Sequence, residues 1–576
     1  MGRIKAFNKH KFRGNQYLKI KNNSGNVVTP PRGDSNLESN TTPQSASRKK
    51  LLYLSSDSAK ENITSVPGSQ GNIIIDLRVL SEFINKSVLC SRCKSVNSVN
   101  IVEETGSRRG LASKIRLECK FCKYENSTMT SCVNPRKISC VNIRFSYAMR
   151  CIGKGRQAAR TFCAVMDLPP PPVSFDRYNQ VLFDGLQQVA ESSMLNAAKQ
   201  TKEMEGSADT TVVVDGSWQK RGHTSLHGVV TATSFLSGKV LDVVTFSKYC
   251  TRCARGGDHY CMKNFDGYSG GMEVQGAVQL CTRSEISRGL RYIRYLGDGD
   301  SKGFNAVNEA KPYGNNITIE KLECIGHVQK RMGRLLRQLC KEFKGQKLED
   351  GKLINGRGRL TNAEIDKLQN YYGMAIRANV DNLNNMKKAV WATYFHKYST
   401  DDKPNHGLCP KGSTSWCGYQ RSVTAGIDYE HKHSLPPAIL DRIKPIYKKL
   451  ADESLLRRCL HGKTQNQNES FNSCIWQRVP KTVFVGAKTV KIGVLDSVIC
   501  FNDGSYSRTH VMKAMDIEPG ENMKKGLRDL DVERVMKADT AMEKVTKEAR
   551  MKKRGKKRQR EDRETQKDES YGPGKF

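Results

Sequence analysis

Apolar residues in this chain fall into blocks of different period, and the changes of period divide it. Residues 1–70 show hardly any apolar clustering; Ser, Asn, Thr, Gly and Lys dominate around Thr-Pro-Pro-Arg-Gly-Asp at 29–34. That is the composition of a disordered basic arm. Order is expected from Asn-Ile-Ile-Ile-Asp-Leu-Arg-Val-Leu-Ser-Glu-Phe-Ile at 72–84. From 138 to 205 the spacing of Ile143, Phe145, Met149, Ala158, Phe162 and Val165 is helical, the four prolines Pro169 to Pro172 interrupt it, and Tyr178, Leu182, Leu186 and Val189 resume it. Such a stripe is the buried side of helices, and the polyproline is a boundary or stiff spacer.

Beyond residue 210 the pattern becomes that of strands. Thr211-Val-Val-Val-Asp215, Ser225 to Phe235 and Lys239 to Phe246 are β-rich runs separated by short Gly-containing turns, which predicts an antiparallel meander. Gly271 to Leu290 then reads as helix, and Arg291-Tyr-Ile-Arg-Tyr-Leu296 as a fourth strand ending at Asp298. Three meandering strands, a helix and a strand ending in an acid follow the order of an RNase H-like core, in which the first and fourth strands lie side by side. Helical spacing returns from Leu322 to Leu339 and from Tyr371 to Phe395, with Thr361-Asn-Ala-Glu364 as a capping box. Leu460 to Trp476 predicts one further helix before hydrophobicity declines toward the C-terminus.

Charge narrows the possible partners. Against 58 Asp plus Glu stand 96 Lys plus Arg, leaving a net +38 over 576 residues, so the chain is drawn to a polyanion. The run Lys552-Lys-Arg-Gly-Lys-Lys-Arg-Gln-Arg560 reads as a nuclear localisation signal or a nucleic-acid tail. No stretch approaches 18 consecutive apolar residues and the first residues lack the apolar core of a signal peptide, so a soluble intracellular protein without a membrane partner is expected.

In a reducing compartment the 19 cysteines are thiols or metal ligands. Cys90-Ser-Arg-Cys93 and Cys119-Lys-Phe-Cys122 have the spacing of a zinc ribbon, in which each knuckle aims two thiolates at one tetrahedral ion. Cys250, Cys253, His259 and Cys261 make a compact Cys-x2-Cys-x5-His-x-Cys cluster, with Cys281 an alternative to His259. Cys324-Ile-Gly-His327 places two ligand types three apart, on one helix face, where they can hold a metal or buttress an active site. Cys409 and Cys417 follow, then His431 and His433.

The acids supply the remaining chemistry. Glu469 stands alone among amides in Thr-Gln-Asn-Gln-Asn-Glu469-Ser-Phe-Asn-Ser. Asp215, Asp298 and Asp300 each precede or follow a Gly and singly read as turn residues; jointly, at the ends of neighbouring strands, they read as ligands of one metal site completed by Glu469. The expected fold class is therefore α/β: an RNase H-like catalytic core with a helical insertion, an N-terminal zinc-ribbon-like module and disordered basic termini. The expected segments are 1–70 basic arm, 71–135 zinc-ribbon-like module, 136–205 helical DNA-binding or linker region, 206–305 first part of the core with the 250–261 insertion, 306–455 helical insertion, 456–480 last core helix and 481–576 basic tail.

Val-Val-Val-Asp215-Gly-Ser-Trp, Tyr-Leu-Gly-Asp298-Gly-Asp300-Ser-Lys, Glu-Cys324-Ile-Gly-His327-Val-Gln-Lys-Arg and the Glu469 segment together resemble the Mutator-like transposases, eukaryotic cut-and-paste enzymes with an Asp, Asp, Glu site, over residues 70 to 480. The resemblance implies that Asp215 and Glu469 are the first and third catalytic acids. Asp298 or Asp300 is the second: strand-end geometry favours Asp298, and the spacing to Gly303 leaves Asp300 open. It also adds weight to Cys324 and His327, since such transposases share a Cys-x-x-His between the second acid and the Glu. Three carboxylates form a hard oxygen cage suited to Mg2+ or Mn2+, while the Cys sites suit structural Zn2+. The implied partners are double-stranded DNA, as transposon terminal repeats and target, and a second copy of the chain on DNA; the implied location is the nucleus. The rival expectation is a domesticated, catalytically silent zinc-containing DNA-binding or chromatin protein.

Overall fold

The computed structural model describes residues 44–51, 71–220, 224–250, 253, 261–297, 301–431, 434–543, 546 and 550. From Ser45 onward the chain forms one unit by its contacts. Asp298, Asp300, His259, His433 and the 552–560 basic run lie outside the described residues.

A helical turn α1 (46–51) comes first. It falls within the segment expected to be a disordered arm, yet it is held against the core. Lys50 is buried, donating from Nζ to the Gly238 carbonyl at 2.8 Å and lying 3.4 Å over the Phe501 ring. Helix α2 (Leu77–Ser87) is capped by the Asp76 carboxylate, which accepts from the Arg78 backbone N–H at 2.8 Å. Strands β1 (Val99–Arg109), β2 (Ala112–Cys119) and β3 (Glu125–Met129) form an antiparallel sheet in sequence order. Helices α3 (Cys140–Cys151), α4 (Arg156–Val165) and α5 (Phe175–Glu205) occupy the segment read as helical. The Pro run precedes α5, and Gly206, at φ 68°, ends that helix in the left-handed conformation glycine adopts freely.

The chain turns there into the central sheet. Strands β4 (Asp209–Trp218), β5 (His227–Ser234) and β6 (Val240–Ser247) pair antiparallel as a meander. Helix α6 (Gly271–Arg288) crosses to β7 (Arg291–Gly297), which lies parallel to β4 with Val213 beside Leu296. The first and fourth strands are thus neighbours, as the strand pattern requires. A fifth strand, β8 (Glu320–Glu323), follows α7 (Lys302–Ala310) and pairs parallel with β7, giving the order β6-β5-β4-β7-β8. The sequence reading placed this stretch in a helical insertion. Glu-Lys-Leu-Glu has no strand pattern because its charges are paired inside: Lys321 and Glu323 are buried, and Arg331 Nη2 donates to Glu323 Oε2 at 2.6 Å.

Alternation along β4 divides the apolar contacts between the two sheet faces. Val212 and Val214 join Met272, Ala277 and Leu280 of α6 in one core. On the other face, a second core unites Val229 and Val240 with Phe471 and Ile475 and with α5. The helices α8 (Ile325–Glu342), α9 (Asn362–Arg377), α10 (Leu383–Tyr398), α11 (Gly418–Ala425), α12 (Pro437–Leu450) and α13 (Glu453–Arg457) form the insertion. A core of its own, running from Ile325 to Cys459, packs α8, α9, α10, α12 and α13 together. The capping box is present, with Thr361 Oγ1 accepting from the Glu364 N–H at 3.2 Å.

Helix α14 (Asn466–Arg478) returns to the sheet, and the chain beyond it is not a tail. Helix α15 (Ala487–Asp503) buries Val490, Ile492, Val494, Val498 and Ile499 against α5 and α14, followed by α16 (Arg508–Ala514) and α17 (Glu521–Met542). Thr-Val-Lys-Ile-Gly-Val-Leu-Asp-Ser-Val-Ile-Cys is apolar enough to be a core helix; the basic segment before it, with Arg478, Lys481 and Lys488, obscures it. Among the described residues no helix is long and apolar enough to cross a membrane.

Candidate active site

Asp215 lies within β4 rather than at its end. Gly216, Ser217 and Trp218 continue the strand by pairing with β5, so the Asp-Gly pair makes no turn here. The glycine serves a close approach instead: a Cβ at Gly216 would stand 2.9 Å from the side chain of Glu273, which opens α6 on the opposite face. The ladder between β4 and β7 reaches only to Val213 beside Leu296, and β7 ends at Gly297, one residue before Asp298. Beyond that point the backbone groups of β4 on the side away from β5 must find other partners, because a buried backbone group left unpaired is costly.

Helix α14 provides them. Gln465 Nε2 donates to the Val214 carbonyl at 3.3 Å, Asn468 Nδ2 to the Val213 carbonyl at 3.1 Å, and Asn472 Nδ2 to Asp215 Oδ2 at 2.8 Å. Trp476 Nε1 donates to Ser217 Oγ at 2.7 Å, and the Thr233 hydroxyl donates to Asn468 Oδ1. Gln465, Asn468, Asn472 and Trp476 recur at three- and four-residue steps, so one face of the helix lies along the strand. The amide-rich sequence around Glu469 is therefore a docking face, with Phe471 and Ile475 anchoring the apolar side. Sequence reasoning singled out the acid and did not read the amides around it as contacts to β4.

Glu469 is exposed and stands one turn before Asn472, the residue that touches Asp215. Asn472 Oδ1 is buried without a protein partner, so an unmatched oxygen donor lies close to the carboxylate. Tyr295, fully buried in the neighbouring strand, is held well above the usual phenol range, first by burial and then by the charges of Cys281, Glu273 and Asp215. Glu273 is thus a further acid near this part of the sheet that the sequence reading did not single out.

Cys324 and His327 sit at the same edge. Cys324 caps α8 and packs with Val213, Leu296 and Leu322, and His327 lies in the first turn of that helix. The junction is stitched to the segment leading into α14: the Ile325 N–H donates to the Lys463 carbonyl at 3.3 Å, and His461 Nε2 lies 3.1 Å from the Glu323 carbonyl. Burial lowers the pKa of His461, whose ring meets Phe235 edge-on at 5.6 Å. Among the described residues, Cys324 and His327 belong to no group of three or more clustered ligands.

Two of the expected cysteine clusters assemble. The thiols of Cys90, Cys93, Cys119 and Cys122 all lie within 4.8 Å of one another, with Cys90 to Cys122 at 3.5 Å and Cys93 to Cys119 at 3.6 Å. Four sulfurs about 2.3 Å from one tetrahedral ion would stand about 3.8 Å apart, so the residues fit zinc. The two knuckles repeat each other, since Lys94 at φ 58° and Lys123 at φ 55° each return an N–H to the first cysteine's carbonyl. A backbone hydrogen bond from Cys122 draws the Cys119 thiol down to about 6, whereas burial pushes Cys122 up to about 11. Cys250, Cys253 and Cys261 also converge within 4.8 Å. Cys281, the alternative fourth ligand there, is buried in the α6 core among Leu280 and Tyr292.

The structure thus joins a mixed α/β sheet, a polar helix docked on a carboxylate-bearing strand and Cys/His clusters that can bind zinc. A family model described as Mutator-like transposase matches residues 71–417, more than half the chain. The chain belongs to the Mutator-like transposase family, which implies DNA binding and transposition activity in general. The match covers Asp215, the Asp298 segment and Cys324 to His327, and stops before Glu469. No curated protein matches the chain.

Proposed function

We propose that the protein is a DNA transposase of the Asp, Asp, Glu type, cleaving and joining strands at transposon ends from an RNase H-like core. The contact between Asn472 and Asp215 carries this reading, because it sets the helix face that bears Glu469 against the strand that bears Asp215. Asp215 and Glu469 are the first and third acids, and Asp298 or Asp300 is the second; the end of β7 at Gly297 supports Asp298. The strand order β6-β5-β4-β7-β8, two antiparallel pairings followed by two parallel ones, supports the RNase H-like core.

The donors suit a hard divalent cation, since carboxylate oxygens and the unpartnered Asn472 Oδ1 are the ligands Mg2+ or Mn2+ prefer. When bound, such ions activate the attacking oxygen and stabilise the leaving one. Asp215 and Glu469 would hold them, Asn472 orients Asp215, and the Gln465 and Asn468 bonds fix the helix in register. The attacking group is water in cleavage and a DNA 3′-hydroxyl in strand transfer, so no side-chain nucleophile is needed. Cys324 and His327 buttress the same edge. The zinc-type clusters at Cys90 to Cys122 and at Cys250 to Cys261, the latter with His259, are structural. The net charge of +38 supports binding through phosphates, with 85–165 the candidate reader of the terminal repeats. The 552–560 run supports nuclear import, and the chain acts as a homo-oligomer on DNA.

Purified protein is incubated with duplex carrying the ends of its own element and Mg2+ or Mn2+. Nicking by the wild type and its loss in Asp215→Asn and Glu469→Gln are expected. Unchanged nicking in either variant removes that residue from the site; a wild type that binds the ends without cutting them supports the silent DNA-binding alternative.

A further inference from the structure

The helical insertion contains a cluster unrelated to the acids. His396, near the end of α10, meets His406 and Cys409 from the following loop and Cys417 at the N-cap of α11. All four are buried, at 6%, 4%, 4% and 0% exposure. Their ligand atoms converge: His396 Nδ1 is 3.3 Å from His406 Nδ1, Cys417 Sγ is 3.7 and 3.5 Å from those two nitrogens, and Cys409 Sγ is 3.9 Å from each. Two sulfurs about 2.3 Å and two nitrogens about 2.0 Å from a tetrahedral ion would place unlike ligands about 3.5 Å apart and the nitrogens about 3.3 Å apart. The observed spacings follow that figure closely.

The surroundings favour a cation as well. Ser399 Oγ lies 2.9 Å from His406 Nε2 and accepts the Asn405 N–H at 2.8 Å, an outer partner that can accept a hydrogen bond from the Nε2–H and so leave the lone pair on Nδ1. Tyr419 stacks on the His406 ring at 4.4 Å, and Trp416 meets His396 edge-on at 5.0 Å, so the site is walled by aromatic rings. Two imidazole nitrogens facing each other at hydrogen-bond distance, beside two buried thiols, lack a low-energy arrangement unless a proton or an ion lies among them. The spacing, His-x9-His-x2-Cys-x7-Cys, contains no Cys-x-x-Cys knuckle, and the sequence reading noted Cys409, Cys417, His431 and His433 without singling out His396 or His406. His431 stands beside the cluster, 5.2 and 5.3 Å from the two imidazole centres, without joining it.

We propose that His396, His406, Cys409 and Cys417 form a structural zinc site that fastens the 399–417 loop to α10 and starts α11. Two borderline nitrogens and two soft thiolates, buried and closed by four protein ligands, suit zinc better than the harder ions of the acidic site. Metal binding there adds to the folding energy of the insertion. The proposal is independent of the catalytic reading.

Crystals of the full-length wild type, measured on both sides of the zinc absorption edge, should show an anomalous peak among these four side chains. Density at Cys90 to Cys122 but none here overturns the proposal, as does a Cys409 to Cys417 disulfide in the peptide map. By elemental analysis, soluble Cys417→Ser should carry about one zinc ion fewer per chain than the wild type, and His406→Cys should retain the ion. An unchanged zinc count in folded Cys417→Ser and His406→Phe also overturns it. If these variants aggregate, the wild-type anomalous map decides.

Discussion

At the scale of single residues, Asp215 owes its setting to Asn472 and Gly216. The amide fixes one carboxylate oxygen at 2.8 Å, and the glycine leaves room for Glu273 behind the strand. A hydrogen bond to a charged group contributes about 1.5–3 kcal/mol. Asn472→Ala should therefore lower the melting temperature and, in the folded protein, slow single-turnover cleavage by about tenfold to about a hundredfold; unaltered cleavage would show that Asp215 needs no such partner. The sequence displayed Glu469 as an acid alone among amides and Asp215 as a turn-type acid before a glycine, and the neighbours of neither tie it to the other. What sets the helix of Glu469 against the strand of Asp215 is a ladder of Gln and Asn side chains, and amides carry no apolar period by which a helix face is recognised. Asp-Gly misleads for a related reason: the pair signals a turn unless the glycine is needed for a close approach, which only tertiary contact reveals.

At the scale of elements, α14 is held at both ends. Its N-terminal amides grip β4, and Arg478 at its last turn binds Asp496 of α15, which also takes Arg508 Nη2 at 2.8 Å and the Tyr147 hydroxyl at 2.7 Å. Burial alone would push the Asp496 carboxyl up, but Arg508 and Arg478 outweigh it and hold the carboxyl well below the usual range. A carboxyl lowered in the folded state contributes stability above its unfolded pKa of about 3.9 and loses it as pH falls through the folded value. Asp496→Asn leaves two buried guanidinium groups with a neutral partner and should cost about 3–5 kcal/mol at pH 7, read by urea unfolding. The gap between variant and wild type should narrow as pH drops below about 4. A gap independent of pH in that range would show that the charge of Asp496 is not the source of the effect.

At the scale of the whole molecule, the strand meander was legible because β-branched runs and short turns report it directly, and the place of β7 beside β4 followed from the order of elements in an RNase H-like core. Strand β8 was not, since its charges pair within the protein. The two ends differ from the expectation for the same reason: α15 lies beyond Glu469 behind a basic segment, and Lys50 is drawn inward by a carbonyl and a ring. A chain cut after residue 480 should accordingly be insoluble or molten, because the face of α5 that packs on α15 is then bare. A chain cut after 543 should keep the wild-type circular dichroism and melting temperature. Soluble, cooperative folding of the shorter chain would contradict the place of α15 in the core. The role proposed for Asp215 is to ligate the ions that cut DNA. The most direct measurement is single-turnover nicking by Asp215→Cys, since a thiolate binds Mn2+ more readily than Mg2+. Activity lost in Mg2+ and regained in Mn2+, with Asp215→Ala inactive in both, is the result expected. Equal activity of the cysteine and alanine variants in the two metals would contradict it.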